Sequence, residues 1–145
     1  PRPFRIPDDR DAARLLDCAR ELGINLLDTA PAYGTSEARL GRLLAGRRAD
    51  WILCTKVGET FTDGVSRFDF TPAGVRASVA RSLERLATDY LDIVLIHSDG
   101  RDVDILDDPA TLDALRELKR AGVIRAVGIS HKSPAGALRA IEAGC

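Results

Sequence analysis

Lysine is scarce in this chain. Lys56, Lys119 and Lys132 stand against eighteen arginines, so arginine is the ordinary cation and each lysine invites a reason. Histidine is scarcer still, with only His97 and His131. Neither sign of charge dominates: the net charge is −1, which leaves no basic footprint for nucleic acid and no polybasic signal for a membrane surface. No apolar run approaches the ~20 residues of a membrane-spanning helix. The opening PRPFRIPDDR lacks the apolar core of a secretory signal. Cys18, Cys54 and Cys145 are odd in number and scattered, two of them within apolar patterns. That argues against a disulfide framework or a metal cluster and predicts buried thiols in a reducing cytoplasm. A glycine-rich phosphate turn is also missing: no strand end reads G-x-G-x-x-G or G-x-x-x-x-G-K-[ST].

What is present has the length for one sizeable core. A chain near 150 residues buries about 70% of its unfolded surface, and 45% hydrophobic with 30% charged residues is ordinary for a globular protein. The sequence starts at Pro1 rather than Met and stops at Ala143-Gly144-Cys145, where a helix ends and a strand is due. Residues 1–145 are therefore expected to be a single segment of a longer protein, incomplete at both ends.

Helix and strand patterns alternate. Apolar residues at three- and four-residue spacing predict helices over Asp8 to Leu22, from Thr35 or Ser36 to Leu44, Thr71-Pro72 to Leu86, Pro109 to Ala121 and Ser133-Pro134 to Gly144. Strands are predicted at Ile24 to Asp28, Trp51 to Thr55, Leu91 to Ile96 and Ile124 to Ile129. The second and third are continuous apolar runs, as in strands buried on both faces. Glu59 to Phe70 and the acid-rich Ser98 to Asp108 read as loops, with Asp99, Asp102, Asp104, Asp107 and Asp108 solvated. Glu37 reads as a first-turn acid favoured by the helix dipole. Four parallel strands with five helices fit either an open doubly wound sheet or part of a (β/α)8 barrel. The missing phosphate turn disfavours the open sheet. Strand ends that each carry a different polar residue favour the barrel, where they face one mouth. About half a barrel is expected, with open edges prone to self-association.

Those strand ends suggest a chemistry. Lys56, next to Cys54-Thr55, ends a buried run and needs a partner, because an isolated buried charge is costly. Asp28, on the neighbouring strand, is the candidate; a rim salt bridge without catalytic role is the alternative. Tyr33 follows Asp28 by five residues. An ordinary phenol, with a pKa of about 10, is a poor acid at neutral pH, and a nearby ammonium makes it a better one. The Tyr33 hydroxyl, Lys56 ammonium and Asp28 carboxylate are expected within hydrogen-bonding reach. His97 closes the run IVLIH and could orient and polarise a substrate carbonyl through a neutral imidazole; a strand-end histidine bonded to backbone is the alternative. No second ligand stands at metal spacing from it. Together these groups predict carbonyl reduction. Hydride comes from a cofactor, Tyr33 protonates the developing alkoxide, Lys56 and Asp28 tune Tyr33, and His97 positions a small-molecule carbonyl substrate.

The same residues resemble the motifs of a known family. GINLLDTAPAYGTSEARLG (Gly23 to Gly41), CTKVG (Cys54 to Gly58), SLERLATDYLDIVLIHSDG (Ser82 to Gly100) and LKRAGVIRAVGIS (Leu118 to Ser130) resemble, in order, the blocks of aldo-keto reductases, and bacterial members more than the mammalian aldose reductases. The resemblance implies an NADPH-dependent (β/α)8 oxidoreductase with Asp28, Tyr33, Lys56 and His97 as its catalytic tetrad. It also implies a nicotinamide bordered by Asp28 and held at its carboxamide by Ser130. His131 stands where many members have asparagine. By the same resemblance, the first barrel strand and everything from the sixth onward lie outside the chain, with most cofactor contacts. Two alternatives stay open: an NADP(H)-binding regulatory subunit, and a truncated product inactive on its own.

Overall fold

The computed structural model describes residues 6–145; Pro1 to Arg5, which open the PRPFRIPDDR segment, lie outside the described residues. In chain order the elements are α1 (Asp9–Glu21), β1 (Leu26–Asp28), α2 (Ser36–Leu43), a short 3-10 turn (Arg48–Asp50), β2 (Ile52–Val57), β3 (Glu59–Thr62), β4 (Val65–Phe68), α3 (Pro72–Leu86), β5 (Leu91–His97), α4 (Asp102–Asp107), α5 (Pro109–Arg120), β6 (Ile124–Ser130) and α6 (Pro134–Glu142). The starts follow local chemistry. Asp8, Thr71, Asp108 and Ser133 each cap a helix by accepting a backbone N–H, and proline occupies the first helical turn after the last three. No helix among the described residues is long and apolar enough to cross a membrane.

The central sheet is parallel throughout, in the order β1-β2-β5-β6, as the alternation of elements predicts. Its register decides which side chains meet. Asp28 pairs with Cys54, Lys56 with Leu95, and His97 with Ser130. Paired residues share a face, and so do residues two apart along one strand. Asp28, Lys56, His97 and Ser130 therefore all project from one face, at the C-terminal end of the sheet. The intervening residues Leu53, Val57, Val94 and Ile96 project from the other. They are fully buried in a core with Val75, Val79 and Leu86 of α3 and Leu112 and Leu115 of α5. Each such side chain contributes about 1.5–3 kcal/mol.

Several local expectations need correction. The Glu59 to Phe70 stretch is an antiparallel hairpin, β3 with β4, turned through Asp63 and Gly64 at positive φ. Short strands with exposed faces carry little periodic signal. The acid-rich stretch contains α4, and its Asp102 is buried, so the loop reading fails there. That makes six α-helices among the described residues instead of five. β5 is not buried on both faces: Leu91, Asp92, Val94 and Ile96 are buried, whereas Ile93, Leu95 and His97 are partly exposed. The inner face is covered only in part, by the Tyr33 ring and the start of the β3–β4 hairpin, among the described residues. Only Cys54 of the three thiols is buried; Cys18 and Cys145 are exposed.

At the opposite end of the sheet, Asp92 ties three strands together. Its carboxylate accepts from the Leu53 N–H (3.0 Å), from Arg48 (2.8 Å) and from Arg125 (2.9 Å). Both guanidiniums stack on the Tyr90 ring, 4.2 and 4.1 Å from its centroid. Burial opposes the charge on Asp92, but the Leu53 N–H and Arg48 outweigh it and hold the carboxyl below the usual range. A depressed folded-state pKa gives stability that is present above the unfolded value, about 3.9, and lost as pH falls through the folded one. Replacing Asp92 with asparagine should therefore lower the urea-unfolding stability of the full-length protein by about 3 kcal/mol at pH 7. The gap to wild type should narrow below about pH 4. A gap independent of pH from neutrality to pH 3 would contradict the assignment.

Candidate active site

The Lys56 ammonium is the centre of the polar cluster. Its side chain is almost fully buried, and Nζ donates to both Asp28 carboxylate oxygens at 2.8 Å and to the Thr29 carbonyl at 3.0 Å. An ammonium has three donors, and these three acceptors use them all. That is why the expected hydrogen bond to the Tyr33 hydroxyl does not form. Instead the ammonium stands 4.9 Å from the centroid of the Tyr33 ring, close enough for cation–π attraction. Tyr33 sits in the turn between β1 and α2, where its N–H bonds the Ala30 carbonyl and its own carbonyl takes the Ser36 N–H. The residue is 48% exposed.

His97 faces Tyr33 edge-on, with ring centroids 6.2 Å apart at 89°. Tyr33, Lys56, Asp28 and His97 thus gather on one side of the sheet. Burial holds the His97 imidazolium below the ordinary range; Glu59 opposes that shift and Lys56 and Lys132 add to it. His97 Nδ1 lies 2.7 Å from Glu59 Oε2, but the two are not aligned for a hydrogen bond, and Nδ1 has no hydrogen-bond partner among the described residues. Ser130 pairs with His97 in the sheet. Its hydroxyl has no partner among the described residues, nor has the exposed His131 side chain just beyond it.

The sequence reading missed three supports. Glu37 lies in the first turn of α2, as expected, but is buried, accepts from Thr55 Oγ1 at 2.7 Å and pairs with Arg85 at 3.3 Å. It thereby anchors the strand residue beside Lys56. Asp102 accepts from the Lys132 N–H and from Ser133 Oγ (2.6 Å), fixing the loop that follows Ser130. A Cβ at Gly136 would fall 2.3 Å from Asp102, so this approach requires glycine. Glu59, expected in a loop, opens β3. Its only signal was Gly58, whose φ of +98° turns β2 into the hairpin and whose missing Cβ admits the Phe70 ring.

Comparison with known proteins follows the same residues. The model of the Aldo/keto reductase family matches residues 5–144. Over 127 residues the chain is 43% identical to an uncharacterized oxidoreductase, YqkF, of Bacillus subtilis, covering 85% of this chain and 40% of that protein. It is 44% identical over 116 residues to D-arabinose 1-dehydrogenase of Saccharomyces cerevisiae, covering 74% and 32%. A solved structure of a putative aldo-keto reductase from Pseudomonas aeruginosa superposes with a TM-score of 0.92 at 58% identity, covering 94% of this chain and 54% of that one. The chain thus spans about half the length of such relatives or less, and its fold corresponds to about half of a (β/α)8 barrel.

Cys54 offers a check on the site's inner layer. It pairs with Asp28 in the sheet. Burial, reinforced by that carboxylate, pushes its thiol up to about 12. Alkylation needs the thiolate, so iodoacetamide at pH 8 should label Cys18 and leave Cys54 unmodified in the native protein, as read by peptide mass spectrometry. Rapid labelling of Cys54 without unfolding would contradict the packing around Asp28.

Proposed function

The chain belongs to the aldo/keto reductase family, and from that premise we propose that its full-length protein reduces an aldehyde or ketone to an alcohol with NADPH. Tyr33 is the general acid in this reading. The observation that carries it is the Lys56 ammonium, held by Asp28 and Thr29 at 4.9 Å from the Tyr33 ring, with His97 edge-on to the same tyrosine. A cation fixed beside a phenol favours release of its proton. The Tyr33 hydroxyl gives that proton to the carbonyl oxygen as negative charge develops there. Asp28 keeps the ammonium in place, and His97 orients the substrate. The similarity to a sugar dehydrogenase supports a polar, sugar-like carbonyl compound as one substrate class.

The residues present fit a nicotinamide. Ser130 ends β6 beside His97 and His131 follows it, with side chains that have no partner among the described residues. Their donors suit a carboxamide. When bound, the nicotinamide supplies the hydride. The unpaired thiols Cys18, Cys54 and Cys145 support a reducing, cytoplasmic setting.

The test is Tyr33→Phe in the full-length protein. It should lower kcat for aldehyde-dependent NADPH oxidation by at least about 100-fold, the usual range for a lost proton donor, while NADPH binding followed by fluorescence stays within about twofold of wild type. Turnover within tenfold of wild type would remove Tyr33 from the mechanism.

A further inference from the structure

Asp102 opens α4, on the chain that leads out of β5 past His97, and it is 1% exposed. A carboxylate this deeply buried needs donors, and it finds them on another element, the loop after β6. Oδ2 accepts from Ser133 Oγ at 2.6 Å and from the Lys132 N–H at 3.0 Å, and Oδ1 shares that N–H at 3.1 Å. Burial opposes the charge, but the Ser133 and Ser98 hydroxyls and the N–H groups of Lys132 and Ser133 outweigh it and hold the carboxyl below the usual range. Ser133 Oγ also accepts from the Gly136 N–H at 3.0 Å, so the loop is fastened to the start of α6 as well. Gly136 has no side chain to keep α6 away: a Cβ there would fall 2.3 Å from the Asp102 Cβ.

The place of this fastening gives it a consequence for the site. The last paired residues of β5 and β6 are His97 and Ser130. Beyond them the ladder no longer holds the chain, and His131, Lys132 and Ser133 follow at once. Asp102 takes over where the ladder stops, joining the segment after His97 to the segment after Ser130. We propose that Asp102 is a positioning residue for the nicotinamide: through Lys132 and Ser133 it holds the Ser130–His131 backbone so that both side chains are set for the carboxamide in the cofactor-free protein.

This inference rests on the reading of Ser130 and His131 given above. A loop ordered in advance spares the ordering cost that binding would otherwise bear. The role needs a carboxylate, which only accepts. Asparagine has the same size, but its NH2 would turn a donor towards the Lys132 N–H or the Ser133 hydroxyl.

The experiment is calorimetric binding to the full-length protein of NADPH and of 2′-phospho-ADP-ribose, which is NADPH without its nicotinamide. Asp102→Asn should weaken NADPH by about tenfold, the value of one hydrogen bond, and leave 2′-phospho-ADP-ribose within about twofold of wild type. A general loss of structure would weaken both ligands alike, and that result would overturn the proposal, as would unchanged binding of both. A measurement on wild type needs no variant to fold. The Lys132 amide proton, followed by NMR, should resist exchange with deuterium before any cofactor is added. Free exchange that slows only on adding NADPH would overturn the proposal. Ser130→Ala should show the same selective loss for NADPH; wild-type affinity for both ligands in that variant would instead sink the reading of Ser130 as a carboxamide anchor.

Discussion

The ion pair between Lys56 and Asp28 is the interaction on which the rest depends. An ammonium this deeply buried is tolerable only if every N–H finds an acceptor, and here two carboxylate oxygens and the Thr29 carbonyl supply them. The demand reaches back into the fold. Thr29 is at the end of β1, and its N–H is bound by the Cys54 carbonyl. Its hydroxyl meets Ser36 at the start of α2. Glu37, one residue on, returns to β2 through Thr55. The lysine, its acceptors and the turn carrying Tyr33 are thus stitched together by short polar contacts.

The same arrangement explains how the parallel sheet becomes a site. Lys56 lies two residues past Cys54, the partner of Asp28, and His97 two past Leu95, the partner of Lys56, so side chains distant in sequence arrive on one face. A slip of one residue in any pairing would turn Lys56 or His97 towards the helices. The buried outer face, with Leu53, Val94 and Ile96 against α3 and α5, is what makes such a slip costly. The polar groups on the inner face are placed by apolar packing on the other.

Much of this was legible in the sequence, and the reasons for the rest are physical. The four parallel strands, the proline-led helices and the polar strand ends all announce themselves through periodicity, capping residues and the rarity of lysine and histidine. Tyr33 could be paired with Asp28 from spacing alone. The hairpin could not be read, because its strands are four residues long and largely exposed. Asp102 reads as a solvated loop acid, Glu37 as a first-turn acid and Glu59 as part of a loop, because acidity by itself does not reveal burial. Glu37 and Asp102 are buried and Glu59 is half-buried, each beside a group that only the tertiary fold brings near. The Tyr33 hydroxyl was expected to bond Lys56 because the Thr29 carbonyl, the third acceptor, carries no sequence signal.

The central claim is that Asp28 and Lys56 act as one unit upon Tyr33. A double-mutant cycle on kcat/KM for carbonyl reduction by the full-length protein tests it most directly, using Asp28→Asn, Lys56→Met and the two combined. If Asp28 acts only by holding Lys56, the double variant should be within about threefold of Lys56→Met alone. Losses that multiply, each substitution costing the same in the presence or absence of the other, would contradict the account.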